Sequence, residues 1–275
     1  MHDILGNPAI EQKQYSGKTS KWFMHDNEEF FDTHAGELTK RGYTKDCIEY
    51  RINNAGFRMD IEMEDVEAGW DMYVGDSSLF GYGANLEDTW IYKHNNLRTS
   101  NPLVNLGMTA ASIESCQRII SYWVPILKPK TLFFADPPTT RMELLFHDGE
   151  PFLSAPWQSS KALTDADPIL KKACEDEIKK ENLSDSDVTF RNILFDNYTC
   201  SSYNRQVSHK RCMDSIKYVC MKNNVELYVL PTMYENAPEY FTKIRGGGRD
   251  FYHPGPEGHD EVLRWSSEAM KKVTL

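Results

Sequence analysis

The chain has 275 residues, 40% hydrophobic and 12% aromatic, enough to bury a substantial core, which excludes global disorder. Asp and Glu number 41 against 31 Lys and Arg, a net charge of −10, and such an acidic surface repels nucleic-acid phosphates. No apolar run approaches the roughly 18 residues of a membrane helix.

The first residues, MHDILGNPAIEQKQYSGK, lack a basic-then-apolar leader, so the expectation is a cytoplasmic protein without a membrane span. Residues 1–66 are polar and charged with few apolar runs. They read as an N-terminal extension with short elements, wrapped on a main domain spanning 67–275.

From residue 70 the pattern changes. Asp71-Met72-Tyr73-Val74 reads as a short strand stopped at Gly75, and Glu87 to about Asn95 as a helix. Leu103-Val104-Asn105-Leu106 reads as a second strand ending at Gly107. Over 111–127, Ile113, Cys116, Ile119, Ile120, Trp123, Val124 and Leu127 recur on one helical face, and Pro125 and Pro129 are expected to close that helix. Thr131-Leu132-Phe133-Phe134-Ala135 is a buried-strand candidate. A long charged stretch, about 158–222, reads as a helical insertion, with Asp167-Pro168 as a helix start. It reads either as a longer covering helix with a decorated loop or as a cap near the site that restricts substrate size. Val225 to Leu230 is the fourth strand, and the last helix, about 256–273, puts Val262, Trp265, Ala269 and Val273 on one face. Strands alternating with helices imply a parallel sheet covered on both sides, with ligands bound beyond the carboxyl ends of the strands.

Chemistry-bearing residues fall at those ends. Ser77 follows the first strand, Gly107 the second, and Asp250 and His253 precede the last helix. A serine hydroxyl needs a base, and an imidazole titrates near neutrality, so His253 can take its proton. Asp250, three residues earlier, can hold the imidazole in the right tautomer, and Pro254 restricts the backbone of His253. The backbone N–H groups of Ser77 and Gly107 are the candidate oxyanion donors. Asp76 is read as a stabiliser of the turn.

Other readings are weaker. Gly81-x-Gly83 lacks the third glycine of a dinucleotide loop. His253, His259 and Asp260 fit no common ligand spacing. The six cysteines, at 47, 116, 174, 200, 212 and 220, form no C-x-x-C pair and read as reduced apolar fillers. Neither metal nor organic cofactor is expected.

These blocks carry a family resemblance. Gly75-Asp76-Ser77, with Phe80-Gly81-Tyr82-Gly83 and Glu87-Asp88-Thr89-Trp90, resembles the first block of the SGNH (GDSL) hydrolases. Asn105-Leu106-Gly107 resembles their second block and Asp250-x-x-His253-Pro254 their last. Tyr50-x-x-Asn53-x-x-Gly56-Phe57-Arg58 is similar to a segment found before such domains. The resemblance covers about 45–273. It implies a flavodoxin-like three-layer α/β/α sandwich and ester hydrolysis, with Ser77 as nucleophile, His253 as base and Asp250 as its orienting partner. Short acyl groups on a carbohydrate, or a similar small ester, are the expected substrates; lysophospholipids and thioesters stay open. The family's third block is usually G-x-N-D, its asparagine an oxyanion donor, whereas Phe134 to Glu143 contains no asparagine. Thr139, Thr140 or Arg141 can stand in, or two donors suffice; Arg141 and Glu143 equally read as a structural ion pair. That departure motivates a second hypothesis, a non-catalytic glycan-binding or assembly module in which Ser77 and His253 lie out of hydrogen-bond reach or a side chain fills the pocket.

Overall fold

The computed structural model describes residues 5–8, 10–139, 141–145, 151–154, 202–231 and 247–275. In chain order the first elements are α1 (Ile10–Lys13), β1 (Thr19–Ser20), α2 (Glu28–Thr33), α3 (Ala35–Lys40) and β2 (Tyr50–Arg51). Then come β3 (Asp71–Gly75), α4 (Ser77–Phe80), α5 (Trp90–Arg98), β4 (Val104–Gly107), α6 (Ile113–Leu127) and β5 (Thr131–Ala135). A small antiparallel pair, β6 (Met142–Leu145) and β7 (Pro151–Ser154), precedes α7 (Ser202–Lys222), β8 (Glu226–Leu230), α8 (Pro256–Ala269) and β9 (Lys271–Lys272).

The main sheet runs β4-β3-β5-β8-β9, its first four strands parallel. That is the doubly wound order of flavodoxin-like folds, with an antiparallel edge strand added. Successive strand residues face opposite sides, so each strand feeds two cores. Met72, Val74, Leu132, Phe134 and Leu227 meet Ile113, Ile120, Val124, Ile216 and Cys220 of α6 and α7. Tyr73, Phe133, Ala135 and Leu230 meet Trp90 and Ile91 of α5 and Val262 and Trp265 of α8. Helices therefore cover both faces, giving three layers.

Three details differ from the sequence expectation. Pro125 does not close α6, which continues to Leu127. Proline forfeits one backbone bond, but Val124 and Leu127 stay buried while Pro125 itself is exposed, so the apolar face carries the helix past it. The expected 87–95 helix is a 3-10 turn, Leu86–Asp88, followed by α5, whose N-cap is the Thr89 side chain accepting from Tyr92 N. The last helix stops at Ala269, and Val273 packs on the first core beyond an edge strand instead of on a helical face. Of the 158–222 stretch, 202–222 is the helix that covers β8 and packs on α6; Asp167-Pro168 and the rest up to 201 lie outside the described residues. Cys116 and Cys220 are buried fillers of the first core, whereas Cys174 and Cys200 lie outside the described residues.

A third core joins the N-terminal segment to the body. Phe23, Phe31, Leu38, Tyr43, Ile48, Tyr50 and Ile52 pack with Phe80 and Tyr82, which directly follow the Ser77 helix.

His259 of α8 is wholly buried, and neither ring nitrogen has a hydrogen-bond partner among the described residues. Burial, then the charges of Lys93, Arg58 and His253, pull its pKa down to about 3. The folded chain keeps it neutral while the unfolded chain protonates it near the ordinary value of about 6.5. As pH falls from about 6.5 towards 3, the unfolded state therefore gains a proton that the folded state lacks, and stability falls by up to about 1.4 kcal/mol per pH unit. His94, lowered by burial to about 4, acts in the same direction over a narrower window. The urea midpoint should drop between about pH 7 and pH 4.5, and less so in His259→Phe; equal losses in both proteins would refute the assignment.

Candidate active site

The turn after β3 is shaped by packing. A Cβ on Gly75 would sit 2.9 Å from Leu79 Cδ1 and 3.0 Å from Ala135 Cβ and O, so only glycine lets the chain enter α4 here. Asp76 caps that helix: its Oδ1 accepts from Ser78 N at 3.0 Å and Ser78 Oγ at 2.8 Å. Gly81, at φ 77°, ends it in the left-handed conformation. Ser77 is thus fixed as the first residue of a one-turn helix at the carboxyl end of β3, which lies between β4 and β5.

Across the sheet edge, the loop before α8 brings in the other two groups. His253 Nε2 lies 2.9 Å from Ser77 Oγ, and His253 Nδ1 lies 2.5 Å from Asp250 Oδ2. Asp250 is 2% exposed, and its Oδ1 accepts from the backbone N–H of His253 at 3.2 Å and of Tyr252 at 3.3 Å. Burial alone would raise the Asp250 pKa, but the charge of His253 and these hydrogen bonds overcome it and hold the carboxyl below its ordinary value. Gly83, at φ 75°, makes the approach possible, since a Cβ there would lie 2.7 Å from Asp250 Oδ1. The ring of Tyr82 packs at a tilt of 33° against that of His253, centroids 4.9 Å apart.

The remaining expected residues fall differently. Gly107 donates its N–H to Asn105 Oδ1 at 2.8 Å, and a Cβ there would meet Phe80 N at 2.6 Å. Its missing side chain serves the close packing of β4 against α4 and leaves no room for substrate. The N–H of Ser77 has no acceptor among the described residues. Arg141 pairs with Asp76 Oδ2 at 3.0 Å, not with Glu143. Glu143 is taken instead by Arg118, at 2.7 and 2.8 Å, in a fork that a sequence cannot locate because its members sit on α6 and β6. Thr139 is half-buried, and Thr140 lies outside the described residues. In the third-block region Asp136 accepts from His209 Nε2 of α7 at 2.9 and 3.0 Å.

Sequence reasoning passed over Ala110. It adopts φ 55°, a left-handed conformation that an alanine rarely takes, and its N–H has no acceptor among the described residues. Arg141 Nη1 contacts both Asp76 Oδ2 and Ala111 O, at 3.0 and 3.4 Å, so this turn abuts the one that carries Ser77. Nothing in Met108-Thr109-Ala110-Ala111 marks the position, because the residue type gives no sign of the backbone angle.

No family model and no curated protein sequence matches the chain. Among solved structures it is similar to a lipolytic protein of the G-D-S-L family from Veillonella parvula, at 14% identity and TM-score 0.32, over 73% of this chain and 97% of that one. It is also similar to TesA, at 10% identity and TM-score 0.32, over 72% of this chain and 96% of that one.

Proposed function

We propose that this chain is a serine ester hydrolase that forms an acyl-enzyme on Ser77. The observation that carries the reading is the unbroken series of contacts from Ser77 Oγ to His253 Nε2 and from His253 Nδ1 to Asp250 Oδ2. In the reaction His253 takes the Ser77 proton as Oγ attacks the acyl carbonyl, then returns it to the departing alcohol. Water activated by the same imidazole releases the acid and restores Ser77. The negative charge of Asp250 steadies the imidazolium formed in each half. The unengaged amides of Ser77 and Ala110 are the donors assigned to the developing oxyanion, in place of Gly107. The chemistry asks for no metal or organic cofactor.

The substrates assigned are short acyl esters of a carbohydrate or a similar small alcohol. Tyr252, 42% exposed beside His253, offers a ring face to the alcohol. One of the two arrangements expected of the non-catalytic alternative set Ser77 and His253 apart, and their 2.9 Å separation supports hydrolysis against it.

Incubation with a fluorophosphonate should leave one adduct on Ser77, and p-nitrophenyl acetate should be turned over faster than medium-chain esters. Both signals should vanish in Ser77→Ala with the far-UV spectrum unchanged. Neither labelling nor turnover by the wild type across short and medium acyl esters would end the reading.

A further inference from the structure

We propose that Asp26, acting through Arg249, is a positioning residue for the Asp250–His253 pair, and that the segment from Lys21 to Tyr50 clamps the loop carrying both. This rests on the hydrolase reading above. The loop needs an external hold. Phe251, between Asp250 and His253, takes φ 62°, a left-handed conformation strained for a bulky residue. Such a conformation persists only where its surroundings over-determine it.

Those surroundings come from the N-terminal segment. Arg249 is fully buried and forks onto Asp26, Nε to Oδ1 at 2.7 Å and Nη2 to Oδ2 at 2.8 Å. Its Nη2 also donates to Lys21 O and its Nη1 to Lys45 O at 3.3 Å, while its guanidinium lies 4.3 Å over the Trp22 ring. Tyr43 OH donates to Gly247 O at 2.7 Å. The Phe251 ring is boxed by Phe30, His34 and the Arg41 guanidinium.

The hold continues to the reacting groups. Tyr50 OH donates to Asp26 Oδ2 at 2.5 Å and accepts from Gly83 N at 2.9 Å, while Gly83 O accepts from Arg249 N at 3.0 Å. Tyr82, whose ring packs against His253, is fixed by accepting from His25 N at 2.7 Å and donating to Phe23 O at 2.9 Å. Asp26 thus sits where one carboxylate sets the aim of both Arg249 and Tyr50. A bidentate fork fixes orientation as well as distance, which a single contact does not. Burial pushes the Asp26 carboxyl up against the pull of Arg249 and Tyr50, so the site tolerates its charge only with Arg249 in place.

The test is Asp26→Asn in the full chain. It keeps the shape, removes the charge and leaves Arg249 without its counter-ion. We expect kcat on p-nitrophenyl acetate to fall about 10- to 100-fold with KM held within about twofold, as a small misplacement of reacting groups does. The far-downfield proton resonance of the His253 Nδ1–H, identified by its loss in His253→Ala, should broaden or move upfield. A folded Asp26→Asn with unchanged kcat and an unchanged resonance overturns the proposal. Should that variant fail to fold, Tyr43→Phe decides, since it removes only the bond to Gly247 O. A severalfold lower kcat with a broadened resonance supports the clamp, and wild-type values for both overturn it. If the wild type hydrolyses no ester, the hydrolase reading falls, while the resonance still judges the clamp by itself.

Discussion

Asp250→Asn should lower kcat about ten-thousandfold and leave the fold intact. The asparagine retains an oxygen where Oδ1 accepts from the backbone of Tyr252 and His253, so the loop keeps its turn. What changes is the atom facing His253 Nδ1, now 2.5 Å from Oδ2. An amide NH2 there donates, and the imidazole must answer with an unprotonated Nδ1. Its proton then moves to Nε2, the atom that has to accept from Ser77 Oγ. The variant therefore holds the base in the wrong tautomer and also removes the negative charge that steadies the imidazolium. Steady-state kinetics on a short acyl ester, with circular dichroism as the fold control, give the measurement. A loss under about tenfold would mean that Asp250 does not orient the base.

Arg58→Met should cost about 3–5 kcal/mol of stability, because several buried carbonyls lose a charged donor at roughly 1–3 kcal/mol each. Arg58 is fully buried, and no carboxylate pairs with it among the described residues. Burial lowers its pKa to about 10, so it remains a cation at neutral pH. Backbone carbonyls compensate the charge: Phe80 O at 3.2 Å, Gly81 O, Glu49 O at 3.0 Å and Ala84 O at 2.7 Å. Its guanidinium also lies 4.4 Å over the Tyr50 ring. Methionine fills the space but donates to none of them; Gly81 O keeps the N–H of Ala84 at 3.3 Å, while Phe80 O, Glu49 O and Ala84 O lose their Arg58 donor. Phe80 and Gly81 end the helix that begins at Ser77, so the surviving folded fraction should also lose esterase activity. Urea unfolding measures the first effect. Arg58→Lys should recover little, because an ammonium cannot reach four carbonyls spread around a planar fork. A stability loss under about 1 kcal/mol would sink the account.

The sheet was legible because β3, β4 and β5 are buried at every position and so appear as short, mostly apolar runs between turn signals. Ser77, Asp250 and His253 could be singled out because a hydroxyl, a carboxylate and an imidazole are distinct residue types, and their contacts at 2.9 and 2.5 Å bring the three together. The donors for a developing oxyanion were harder, since backbone N–H groups leave no mark in the residue letters. Gly107 looked suitable as a residue without a side chain, but its amide was already committed to Asn105. Ala110 was invisible because an alanine at positive φ is set by the surrounding turn. The Asp26–Arg249 pair was beyond reach for another reason. Both are ordinary charged residues, and only the folded chain reveals that neither meets water.

That pair has a consequence for biogenesis. Its members are 223 positions apart, so a ribosome adding about 5–20 residues per second translates the carboxylate roughly 11–45 seconds before its guanidinium partner. The early part of the nascent chain must wait with Asp26 hydrated, unable to close its own core around a lone charge. Hydrolytic competence should therefore arrive abruptly and late, when the stretch around residue 250 clears the exit tunnel.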